Sequence, residues 1–183
     1  MASDLTIVST DKLTDVAFKV CTAFDRAGIT AVLCGGSAAE VYVPQAYKSG
    51  DVDFIVSWVV DRARIDEIVG PIGYERTGRI LVCKSNLVTL DFPGDELMIW
   101  DEVVTAYDTL SRDDMVLKIQ TPFDTVRDRL CWFFYDSRDY QSMGVAVSVA
   151  KQYGVDLERI ESWANRIGQS ERFSDFRRAL LDS

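Results

Sequence analysis

The sequence predicts an α/β (α+β) fold, and three observations carry that reading. Short apolar runs of strand length alternate with segments of helical periodicity as far as about residue 120. Beyond the Thr121-Pro122 step only helical patterns remain. The composition is that of a globular chain: 48% of its 183 residues are hydrophobic and 27% are charged, enough to bury a core without disulfide support. The chain therefore divides into an α/β core over residues 1–120 and a helical part over 121–183 packed on it.

Leu13, Val16, Ala17, Val20, Phe24 and Ala27 recur at helical spacing, which predicts a helix from Thr10 to Ala27 with Gly28 as its stop. Ile29 to Cys34 (ITAVLC) is too short for a second helix and reads as a strand, ending at Gly35-Gly36. Ser37 to Tyr42 restarts with helix formers before Pro44. Asp51 to Trp58 (DVDFIVSW) opens on alternation and then turns apolar, a strand running into the core. A helix over Asp61 to Val69 closes at Gly70-Pro71. Tyr74–Arg76 and Arg79–Lys84, split by Thr77-Gly78, read as a hairpin, and Leu87 to Phe92 (LVTLDF) as another strand. Thr121 then caps a helix with Pro122 at its first position, running to Tyr135. Two or three further helices follow, around Asp139–Gln152, Asp156–Ile167 and Glu171–Leu181. Trp58, Trp100 and Trp163 are single aromatics read as core.

Residue counts exclude several chemistries. With no histidine, neither a Ser-His-Asp nor a Cys-His nucleophile can form, and no imidazole can hold zinc. Cys21, Cys34, Cys83 and Cys131 form no C-x-x-C pair and read as buried thiols in a reducing, cytoplasmic setting. A formal charge of −9 speaks against coating duplex DNA. No basic-then-apolar leader and no long apolar window is found, so neither a signal peptide nor a membrane span is expected.

Three features remain, in a suggestive order. Gly35-Gly36-Ser37 joins a strand to a helix, where bare backbone and free N–H groups attract phosphate and Ser37 adds a hydroxyl donor. Asp51 and Asp53 form a D-x-D, and residues two apart in a strand point to the same side. Asp91 follows in a later strand. Taken singly these are a turn, a strand edge and a solvated acid. Together they make an oxygen-rich site suited to Mg²⁺ or Mn²⁺, of the kind that clamps an in-line phosphoryl transfer. The run Trp132, Phe133, Phe134 and Tyr135 can stack a base or fill a helix–sheet core, with the core favoured.

The stretch CGGSAAEVYVPQAYKSGDVDFIV resembles the signature of the nucleotidyltransferase superfamily related to DNA polymerase β, with thirteen residues between Ser37 and Asp51. The resemblance implies a mixed sheet with flanking helices, carrying Asp51, Asp53 and Asp91 on one sheet surface as catalytic residues and metal ligands. TPFDTVRDRLCWFFYDSRDYQSM is similar to the helical segment after the core in bacterial minimal and abortive-infection toxin-type nucleotidyltransferases. That likeness implies nucleotide contacts from Arg129 and Arg138, beside phosphate contacts from Gly35, Gly36 and Ser37.

The implied activity is metal-dependent transfer of a nucleoside monophosphate from an NTP to an acceptor hydroxyl on protein, RNA or a small molecule. A toxin–antitoxin role, with an antitoxin partner, is part of that expectation. Two alternatives stand beside it: a catalytically silent binding module of the same fold, and an aminoglycoside-type small-molecule enzyme.

Overall fold

The computed structural model describes residues 3–57 and 59–182, so the reading of Trp58 lies outside the described residues. Helix α1 (Leu13–Arg26) forms as expected, because Leu13, Val16, Ala17, Val20, Cys21 and Phe24 make one buried stripe. Strand β1 (Ala31–Cys34) runs directly into α2 (Gly35–Tyr42), and β2 (Asp51–Val56) follows. Helix α3 (Arg62–Val69) starts where the Asp61 carboxylate accepts the Arg64 amide, and a single 3-10 turn over Gly70–Ile72 ends it. Strands β3 (Tyr74–Thr77), β4 (Ile80–Cys83) and β5 (Asn86–Asp91) match the predicted hairpin and strand within a residue or two.

Four strands between residues 97 and 120 were not foreseen from the sequence. β6 (Leu97–Ile99) and β7 (Glu102–Val104) form a small separate hairpin. β8 (Tyr107–Arg112) and β9 (Met115–Gln120) extend the main sheet. Trp100, expected in the core, instead sits in the β6–β7 turn with φ 59 and is 42% exposed. A tight two-residue reversal sets its side chain outward, where packing cannot reach it.

The helical part is α4 (Pro122–Tyr135), α5 (Tyr140–Tyr153), α6 (Leu157–Arg166) and α7 (Ser170–Asp182). Thr121 caps α4 by accepting the Asp124 amide at 3.1 Å. Trp163 is buried as expected and stacks on Phe134. No helix among the described residues is long and apolar enough to cross a membrane.

The main sheet has strand order β3-β4-β5-β2-β1-β9-β8. It is mixed: β2 with β5 and β1 with β9 run parallel, and the other pairs are antiparallel. Val52, Phe54 and Val56 of β2 are buried on one face, whereas Asp51, Asp53 and Ile55 point to the other and remain partly open. One continuous apolar core includes Val16, Leu33, Phe54, Leu117, Leu130 and Phe173, so the helical part and the sheet share it. All four cysteines are free thiols. Burial pushes the Cys21 thiol up to about 11, which keeps it protonated and unreactive.

Candidate active site

The register of three adjacent strands builds the site. Cys34 of β1 lies opposite Asp53 of β2, and Asp53 lies beside Asp91 of β5. Residues facing each other across a ladder share a face, so Cys34, Asp53 and Asp91 form one row on the open side of the sheet. Asp51 projects to that side too, one pleat away.

The chain leaves this row through Gly35, whose φ of +64 favours glycine. A Cβ there would lie 3.1 Å from Asp53 Oδ2, so the missing side chain lets the backbone pass close to the carboxylate. At Gly36 a Cβ would meet Tyr47 Oη at 3.0 Å. Helix α2 has no side-chain N-cap, and first-turn amides have no partner within a helix.

Ser37 differs from expectation. Its hydroxyl is fully buried, donates to the Cys34 carbonyl at 2.7 Å and accepts the Asp53 amide at 3.2 Å. The single hydroxyl proton is therefore committed inside the protein, and Ser37 offers a ligand only its backbone N–H. Its side chain ties α2 to β2 and seats Asp53.

The Asp53 carboxyl is pushed up to about 6. Burial is the chief cause, followed by repulsion from Asp51 and Asp91, against an opposing pull from Arg129. Asp51 accepts the Ser49 hydroxyl at 3.1 Å, and Asp91 Oδ1 accepts the Phe92 amide at 2.8 Å. Among the described residues, no three His, Cys, Asp or Glu side chains stand together closely enough to hold one metal ion. The donors are nonetheless all carboxylate oxygens, the chemistry a hard divalent cation takes, and the crowding at Asp53 is what such a charge relieves.

A cleft of about 590 Å³ opens at Cys34 and Asp53, lined also by Gly35, Gly36, Asp128, Arg129, Trp132 and the segment 93–98, whereas Asp51 and Asp91 do not line it. Helix α4 brings Arg129 there. Its guanidinium is mostly buried and binds Asp128 Oδ2 at 2.9 and 2.6 Å. Arg138 is not brought there. It is 87% exposed at the α4–α5 turn, pairs with Asp136 and faces a separate hollow beside α7. The helix ends before Arg138, so it does not continue the face that carries Arg129.

The aromatic run divides by helical phase. Phe133 and Phe134 fill the core, whereas Trp132 is 56% exposed at the cleft and Tyr135 faces solvent. Sequence reasoning missed Asp128 and the segment 93–98. The one available signal was spacing, since Asp128, Arg129 and Trp132 recur on one helical face.

No family model matches the chain, and no curated protein matches it. Solved structures do. The chain has a nucleotidyltransferase-like fold. It is similar to the crystal structure of an antigenic nucleotidyltransferase-like protein from Paracoccidioides brasiliensis, at 16% identity and TM-score 0.64, over 92% of this chain and 93% of that one. A second match is ANT(2'')-Ia in complex with adenylyl-2''-tobramycin, at 12% identity and TM-score 0.49, over 93% and 97% of the two chains.

Proposed function

We propose that the protein is a metal-dependent nucleotidyltransferase moving a nucleoside monophosphate from an NTP to an acceptor hydroxyl. The observation that carries this reading is the side-by-side placement of Asp53 and Asp91 on neighbouring strands, with the glycine-lined start of α2 against Asp53 at the first cleft. The N–H groups of Gly36 and Ser37 receive the terminal phosphates, favoured by the positive end of the helix. Arg129 adds a guanidinium beside them, and Trp132 offers its face to the base. Asp51 and Asp53 are the residues that would hold Mg²⁺ or Mn²⁺, with Asp91 as the neighbouring third carboxylate. When bound, the cation neutralises charge on the reacting phosphate.

The acceptor O–H gives its proton to Asp91, and its oxygen forms a bond to the α-phosphorus. The bond from that phosphorus to the β-phosphate oxygen breaks, and pyrophosphate leaves with the electron pair. With no histidine in the chain, a carboxylate is the available base.

The test incubates the full chain with α-labelled NTPs, Mg²⁺ and a cell extract, then repeats it with Asp53→Asn. Label on a discrete product, lost with Asp53→Asn, is expected. Titration of Mg²⁺–ATP showing no binding, or binding indifferent to metal and to Asp53, overturns the reading in favour of a silent module.

A further inference from the structure

A second cleft, of about 480 Å³, adjoins the first. Both are bordered by Pro93, Gly94 and Asp95, and Asp91 lines the second. Its lining includes Arg62 from the start of α3, Arg76 from β3 and Arg79 from the β3–β4 turn. Arg76 is committed to Asp66 at 2.7 Å. The other two are exceptional in this chain. Every other arginine among the described residues has a carboxylate partner or lies over an aromatic ring, but Arg62 and Arg79 have neither.

A protein of formal charge −9 has acids to spare for its arginines. Two unpaired guanidiniums from different elements, lining one cleft with the proposed base, therefore point to an anionic ligand. Guanidinium matches phosphate in shape and charge, through paired N–H donors in one plane. Building on the transferase reading, we infer that the acceptor is a small phosphorylated molecule, its phosphate held by Arg62 and Arg79 and its hydroxyl directed to Asp91.

The cleft is of small-molecule size. The acidic whole would repel a polynucleotide, whose binding needs a broad basic face. The arginines would equally repel a polycationic acceptor. Asp95 lines the cleft as well as Asp91, so the cavity carries carboxylates beside its guanidiniums.

The experiment is calorimetric titration of the full chain with ribose 5-phosphate, inorganic phosphate and ribose, in EDTA and without NTP, so that the result does not depend on catalysis. Wild type binds the two phosphates and not ribose. The double variant Arg62→Ala/Arg79→Ala weakens phosphate binding about tenfold or more. Arg64→Ala, on the same helix but paired with Glu67, leaves it unchanged, as does Arg138→Ala, which pairs with Asp136 at a separate hollow. Thermal melts check that the variants fold, which exposed Arg62 and Arg79 should allow.

Absence of phosphate binding by wild type, equal binding by wild type and the double variant, or loss with Arg138→Ala overturns the inference. A transferase assay separates it from the parent reading. Full activity of the double variant on an unphosphorylated acceptor sinks the acceptor assignment and leaves nucleotidyl transfer standing. Failure to bind Mg²⁺–ATP sinks transfer, while the phosphate titration still reports on the two arginines.

Discussion

Single residues in this site act through direct hydrogen bonds between neighbouring elements. The Ser37 hydroxyl holds Cys34 and Asp53 together, so Ser37→Ala leaves the Asp53 amide without its acceptor. The expected cost is about 1–2 kcal/mol in urea unfolding with an unchanged slope. An unaltered midpoint would show that the tie bears no load. Trp132 poses the opposite case, because more than half of its surface is already open to solvent. Trp132→Ala should leave the melting temperature nearly unchanged and weaken nucleotide binding by about 1–3 kcal/mol if a base stacks there. Nucleotide titration of the variant decides it, and equal affinity would remove Trp132 from the site.

At the scale of elements, α4 is fastened to the β6–β7 hairpin by ionic contacts around Arg127. This side chain is 7% exposed, reaches Glu102 at 2.6 Å and Asp124 at 2.8 Å, and lies over the rings of Phe123 and Trp163. Glu102 also pairs with Arg166, which brings α6 to the same hairpin. Removing one member of a buried pair strands the other charge, so Arg127→Ala should cost about 3–5 kcal/mol. The apolar pair Arg127→Met/Asp124→Leu should recover much of that loss, minus the bond from the Thr121 hydroxyl to Asp124. Denaturant melts of the single and double variants measure the coupling. Equal destabilisation by both would mean that the network carries more than charge pairing.

For the molecule as a whole, the acids of the row couple stability to pH and metal. The Asp53 pKa is raised in the folded state, so folding favours its protonated form. That contribution is fully present below the ordinary carboxylate pKa and is lost as pH rises through about 6. In EDTA the melting temperature of wild type should therefore fall over this window, and Asp53→Asn should flatten the fall. Mg²⁺ must displace the proton to bind, so its stabilising effect should be larger at about pH 7 than at about pH 5. Identical melts for wild type and Asp53→Asn, with and without Mg²⁺, would mean that the cation binds elsewhere.

Local rules made much of this architecture legible. Alternation in DVDFIV fixed which side chains of β2 face the core, and so placed Asp51 and Asp53 together on the other face. Thr121-Pro122 announced α4 because capping and a fixed proline φ act within a few residues. The β8–β9 hairpin escaped because β8 is mostly exposed and carries little apolar alternation, and β9 joins the main sheet by pairing with distant β1. Arg129 and Arg138 looked equivalent in the sequence, and only the packing of α4 beside α2 and the turn after it separated them. Ser37 was read as a ligand donor because hydroxyls do both jobs, and its burial decided which. The sequence by itself determined the residue types and their parity within each element, which follow from chain geometry over a few residues. Register between strands, the pairing of Asp53 with Asp91, and the two unpaired arginines on one cleft were decided by tertiary structure, since long-range contacts are set by the packing of the whole core.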